Sequence, residues 1–175
     1  MGTQTKPTEQ APMQAAPQEG HRWLQQLVGE WTTEAQMTMA PGESGEICKG
    51  IERVRSLGGL WIVAEGQGEM PGGGEATMLL TLGYDPGKKR YVGTWVGSMM
   101  THLWLYDGEL DASGNILTLN SEGPDMSPGA APGKLAKYQD VIAIESAGHR
   151  TLTSHCLGDD GKWQQFMTAH YRRTK

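Results

Sequence analysis

Leu82-Gly83-Tyr84-Asp85-Pro86-Gly87-Lys88-Lys89-Arg90-Tyr91-Val92-Gly93-Thr94-Trp95 reads as two alternating strands joined by a tight turn at Asp85-Pro86-Gly87. The proline ring presets the backbone for the second position of such a turn, and glycine accepts the positive φ that can follow, so the chain must reverse there. On the second arm Tyr91, Gly93 and Trp95 share one face while Val92, Thr94 and Val96 share the other, because successive strand side chains point to opposite sides. A hairpin of this kind implies an antiparallel sheet.

The same rhythm extends in both directions. Turn signals at Pro41 to Gly45, Gly58-Gly59, Pro71 to Gly74, Asp111 to Asn115, Ala147 to His149 and Gly158 to Lys162 cut the chain into short pieces. Between them about ten strands are expected, over 30–39, 46–57, 60–69, 76–84, 89–97, 101–110, 115–122, 135–145, 149–157 and 162–173. Ahead of the first strand, Trp23, Leu24, Leu27 and Val28 recur at helical spacing and Gly29 can end the turn, which predicts a short helix. Regular strand spacing without a long helical pattern favours a closed antiparallel up-and-down barrel. Residues 1–20 hold almost nothing apolar enough to pack and are expected to form a flexible tail, leaving 21–175 as a single barrel domain. The Pro- and Gly-rich stretch from Gly123 to Gly133 breaks the sheet, as a lid at one mouth or as a solvated connector.

Composition narrows the function classes. A chain of 175 residues can bury a core as one domain without disulfides or a structural metal. Its 25 glycines, about twice the usual share of roughly 7%, follow no fixed period and suit a meander of strands. A net charge of -5 opposes nucleic-acid binding, which needs a basic face. Cys48 and Cys156 have no metal-ligand spacing and read as free thiols in a reducing cytosol. No signal peptide and no run of ~18 apolar residues is present, so a cytoplasmic protein without membrane partners is expected.

Candidate site residues follow from the alternation. In the strand around Trp61, Glu65 shares a face with Trp61, Val63 and Gln67; pointing inward, it would be the leading polar group of a cavity and would need a partner or a raised pKa. His102, Trp104 and Tyr106 alternate with Thr101, Leu103 and Leu105, and either face could line the interior. Six tryptophans against a single phenylalanine suit a ligand cavity, since indole offers apolar area with one N–H. Met78, Met99, Met100 and Met167 could soften such a pocket or simply fill core gaps. His155 and His170 could approach one another on the last strands, but isolated strand histidines seldom form a metal or haem site, so no metal and no cofactor are expected. His21 and His149 read as tail and turn residues. Tyr171 and Arg173 share a strand face, where they could hold a carboxylate or lie exposed at the terminus. No catalytic motif is present.

Taken in order, Leu27-Val28-Gly29-Glu30-Trp31, Leu57-Gly58-Gly59-Leu60-Trp61-Ile62-Val63-Ala64-Glu65, Leu82-Gly83-Tyr84-Asp85, Tyr91-Val92-Gly93-Thr94-Trp95-Val96-Gly97-Ser98-Met99, Gly108-Glu109-Leu110-Asp111 and the ending Tyr171-Arg172-Arg173 resemble an uncharacterised bacterial family, DUF1579, usually described as lipocalin-like. The resemblance covers roughly residues 21–173 and implies a lipocalin-like, calycin-type barrel with Trp31 plugging one end. The family's usual Trp-x-Asp-Ser pattern stands here as Trp95-Val96-Gly97-Ser98, without the acid, and His102 stands where a small residue is expected. The expected function is non-covalent binding of a small, largely apolar molecule in a cavity lined by some of Glu65, Trp95, Ser98, His102 and Trp104. The alternatives are an enzyme using a cavity glutamate or histidine as acid or base, and a filled barrel acting as an interaction protein; a homodimer is compatible with either.

Overall fold

The computed structural model describes residues 15–40 and 43–175, the side chains at 39, 40, 43 and 44 aside. The expected tail over 1–20 therefore falls mostly outside the described residues, as does the turn at 41–42. From Glu19 the chain enters a helix, α1 (Glu19–Leu24), which tightens into a single 3-10 turn (Gln25–Leu27). Ten strands follow: β1 (Gly29–Ala40), β2 (Glu43–Leu57), β3 (Trp61–Glu69), β4 (Glu75–Asp85), β5 (Arg90–Gly97), β6 (Trp104–Leu110), β7 (Ile116–Pro124), β8 (Leu135–Ser146), β9 (His149–Leu157) and β10 (Trp163–Arg173). Each pairs antiparallel with its neighbours in sequence, and β1 meets β10 from Trp31 opposite Arg173 to Met37 opposite Met167. The result is a closed up-and-down barrel, the architecture expected from the strand spacing.

Two local expectations are corrected. At the Asp85 hairpin the positive φ falls on Lys89 (56°) and not on Gly87, because the Asp85 carboxylate accepts the N–H groups of both Gly87 (2.9 Å) and Lys88 (3.1 Å) and delays the reversal. The sixth strand starts at Trp104, three residues later than expected. Ser98 turns back onto β4, its N–H donating to the Thr77 carbonyl at 2.9 Å and its Oγ accepting the Thr77 N–H at 3.0 Å, and residues 98–103 cross the mouth as a loop.

Strand alternation now has a definite sense. Trp31 on β1, Val54 on β2, Ile62 and Ala64 on β3, Leu82 on β4, Tyr91 on β5, Tyr106 on β6, Leu117 and Leu119 on β7 and Ile142 on β8 point inward and form the core. The helix caps one end of it. Trp23, Leu24 and Leu27 are buried there, with Trp23 Nε1 donating to the Gly114 carbonyl (2.7 Å) and Trp31 Nε1 to the Leu27 carbonyl (2.9 Å). Arg173 completes the closure, stacking on Trp31 at 4.2 Å and donating to the carbonyls of Gln26, Val28 and Ala147. Gly29 (φ 146°) is required at that point, since a β-carbon would stand 2.3 Å from the Arg173 guanidinium.

The wall is not uniform. β7 and β8 pair through nine residues each, but β6 and β7 pair only from Asp107 opposite Asn120 to Leu110 opposite Leu117. Beyond Asp107 the ladder pairing of the two strands ends; there Trp104 packs against Gly123, and His102 Nε2 lies 3.1 Å from the Glu122 carbonyl. A concavity of about 520 Å³ opens there, bordered by Leu105, Ser121, Glu122, Tyr138 and Trp163.

Candidate functional site

Inside the barrel the end next to the helix is closely packed, and toward the opposite mouth burial is mixed. Leu24, Leu27, Ile62, Leu82, Leu117 and Ile142, next to the helix, are fully buried. Toward the opposite mouth, inward-facing Thr33, Ala35, Leu80, Trp95, Asp140, Leu152 and Tyr171 retain accessible surface although strands surround them on every side. The sequence explains the space. Five adjacent strands, β10 through β4, present Ala169, Thr33, Ala35, Gly50, Ala64, Gly66 and Ala76 inward, whereas β5, β6 and β8 present Trp95, Trp104 and Tyr138. Small residues on one side and aromatic ones on the other outline a partly accessible chamber at this end, with Met78 reaching over Gly66 and with Trp104 and Tyr138 themselves buried.

Of the five expected site residues, the structure brings three to this chamber. Trp95 and Trp104 lie directly opposite one another in the β5–β6 register and point inward. Trp104 packs edge-on against Tyr138, with ring centroids 4.9 Å apart, and its indole N–H donates to the Met100 sulfur at 3.1 Å. His102 sits at the mouth with its ring edge-on to Trp104, also at 4.9 Å. Ser98 is instead an exposed rim residue engaged with Thr77. Glu65 is corrected: it lies on the outer face, 60% exposed and 4.0 Å from Arg55. The pleat that turns Ile62, Ala64 and Gly66 inward sends Glu65 out to water.

Further expectations for single residues are revised. Tyr171 and Arg173 both face inward, but Arg173 is consumed by the helix-end carbonyls. His170 approaches His149 and not His155, with Nδ1 and Nε2 3.1 Å apart and the rings stacked on the outer wall. His21 is a buried helix residue whose Nδ1 accepts the Gln18 N–H at 2.9 Å. The stretch expected to break the sheet at Gly123 stays in β7 through Pro124; the loop after it lies at the same end of the barrel as the 98–103 loop, and its base is tied down by the Tyr138 hydroxyl, which donates to the Pro124 carbonyl at 2.6 Å, and by a 2.9 Å ion pair between Asp125 and Lys134.

Between the closely packed end and the opposite mouth lies a polar floor that the sequence reading did not assemble. Arg150 on β9 is 3% exposed. Its guanidinium lies 3.9 Å over the Tyr171 ring and 4.9 Å from the Trp31 ring, and its Nη2 donates to the Glu52 carboxylate of β2. Its Nε has no hydrogen-bond partner among the described residues. Beside it, Asp140 on β8 accepts from the Tyr106 hydroxyl on one oxygen and from the Ser154 hydroxyl on the other. Burial pushes the Asp140 carboxyl above its ordinary value against the pull of these two donors, and burial likewise raises Glu52 despite the neighbouring Arg150. Tyr106 is held well above the usual phenol range by burial and then by Asp140. Two carboxyls and one guanidinium are thus held in a low-dielectric floor.

A family model described as "Protein of unknown function (DUF1579)" matches residues 16–173. The sequence matches no curated protein. Among solved structures, the barrel is similar to that of Rv2717c from M. tuberculosis, with a TM-score of 0.62 and 11% identity over 91% of this chain and 100% of that one. It is also similar to the S-type phycobiliprotein lyase CPES from Guillardia theta, with a TM-score of 0.53 and 13% identity over 91% of this chain and 99% of that one. Identities this low show a shared fold and nothing finer.

Proposed function

We propose that this chain, which belongs to the DUF1579 family of proteins of unknown function, binds a small, largely apolar molecule in the half of its barrel away from the helix. The observation that supports this reading is the accessible surface kept by inward-facing Trp95, Leu80, Leu152 and Tyr171 beside fully buried Ile62 and Leu117. Removing such apolar surface from water contributes about 25 cal/mol per Å² to affinity. Polar orientation comes from the floor and from His102 at the mouth. One similar fold belongs to a protein named as a phycobiliprotein lyase, which suits a barrel that receives a small molecule. We place the binder in the cytoplasm, a reading supported by Cys48 and Cys156 both being free thiols.

The test is native mass spectrometry of the protein isolated from its own cells, followed by denaturation. A small molecule that leaves only on denaturation supports the reading. For protein that arrives bare, titration with an apolar probe follows the tryptophan fluorescence, to which Trp95 and Trp104 contribute; no saturable change would overturn it.

A further inference from the structure

The unpartnered atom at the floor is specific about the chemistry it lacks. In an arginine, Nε–H and one Nη2–H point the same way and form a two-pronged edge that fits a carboxylate. Arg90, on the outer wall of the same barrel, shows the complete arrangement, with Nε and Nη2 donating to the two Asp107 oxygens at 2.9 and 3.3 Å. Arg150 offers the same edge in the interior, and only Nη2 is used, by Glu52. Glu52 is the more accessible partner of this pair, its side chain 12% exposed against 4% for Arg150. The guanidinium itself is fixed between the Trp31 and Tyr171 rings, so its orientation survives a movement of Glu52.

Resting on the binding reading above, we propose that the barrel's ligand carries a carboxylate head group, which displaces Glu52 and takes both prongs of the Arg150 edge while the apolar body fills the chamber toward Trp95 and Trp104. The titratable groups facing the head come from five strands: Glu52 on β2, Tyr106 on β6, Asp140 on β8, Arg150 on β9 and Tyr171 on β10. With both acids ionised the floor would carry one net negative charge and repel an anion. Burial raises both carboxyls, which lessens that repulsion, and displacement of Glu52 frees the Arg150 edge for the ligand.

The experiment compares decanoate with decanol, two probes of one chain length, by tryptophan fluorescence titration at pH 7 against wild type, E52Q and the double variant E52Q/R150M. The double variant removes both members of the pair together, so no lone buried charge is left to unfold the chain, and its fold is checked by circular dichroism. Decanoate should bind wild type at least about tenfold tighter than decanol, a difference of about 1.4 kcal/mol. E52Q should strengthen decanoate severalfold and leave decanol unchanged, and E52Q/R150M should abolish the preference. Equal affinity for the two probes, or a preference that survives loss of Arg150, would overturn the head-group assignment and leave the apolar chamber standing. Binding of neither probe to any variant would overturn both.

Discussion

Trp104 packs the six-membered ring of its indole against Gly123: a β-carbon on that glycine would stand 2.5 Å from the ring, closer than carbon atoms approach. The aromatic wall of the chamber is therefore positioned by the absence of a side chain on the neighbouring strand. Gly123→Ala should push the indole off this seat at an overpacking cost of about 1–3 kcal/mol. Urea unfolding should show the loss of stability, and near-ultraviolet circular dichroism a changed tryptophan environment in the folded state.

Glu65→Gln should leave both stability and probe affinity unchanged, within about 0.5 kcal/mol, because the wild-type carboxylate is solvated and its contact with Arg55 is long and exposed. Parallel thermal melts and fluorescence titrations of the variant and wild type check this. A tenfold loss of affinity would contradict the outward placement of Glu65.

Stability should decline as the pH rises above about 4.5. Asp140 and Glu52 have folded-state pKa values raised above 3.8 and 4.5, so the folded chain holds these protons more tightly than the unfolded one. Their contribution is greatest while both are protonated and is lost as the pH climbs from the ordinary values through the raised ones, by at most about 1.4 kcal/mol per pH unit for each group. Asp125, lowered to about 2 by its Ser127 and Lys134 bonds, acts in the opposite sense and only below 3.8. Asp140→Asn should make the decline shallower, as read from urea midpoints between pH 5 and 8.

Arg173→Met should be among the most destabilising single changes, costing about 2–4 kcal/mol, because carbonyls of Gln26, Val28 and Ala147 lose a charged donor together. A drop in the urea midpoint with an unchanged slope would identify loss of stability from an otherwise intact fold. A variant as stable as wild type would contradict the closure role of Arg173.

The sequence carried the strands clearly because their signals are local. Glycine and proline punctuate them, and alternation within a strand needs no partner, so eight of the ten expected strands begin and end within two residues of their positions in the barrel, while β2 starts three residues early and β6 three late. β6 began late because Ser98 binds across to Thr77, a contact between different strands that composition does not record. The inward sense was harder to read. Alternation gives two faces and does not name the inner one, and the Trp61, Val63, Glu65 stripe looked as suitable as Ile62 and Ala64. The floor was hidden for the same reason: Arg150 and Glu52 are 98 residues apart, and only barrel closure brings them into contact. One signal was available, since Asp140 interrupts the inward stripe of Tyr138, Ile142 and Ile144 on β8 and a lone acid in an apolar stripe marks a buried polar cluster.

The short ladder between β6 and β7 gives the molecule a second, kinetic degree of freedom. A hoop yields first at its joint of least overlap, and here that joint flanks the chamber, latched by one imidazole on a carbonyl. For the binder we propose, this latch would set how fast a guest enters or departs, while the floor would set how firmly it rests at equilibrium. On that proposal, loss of the His102–Glu122 bond would act first on the rate of exchange.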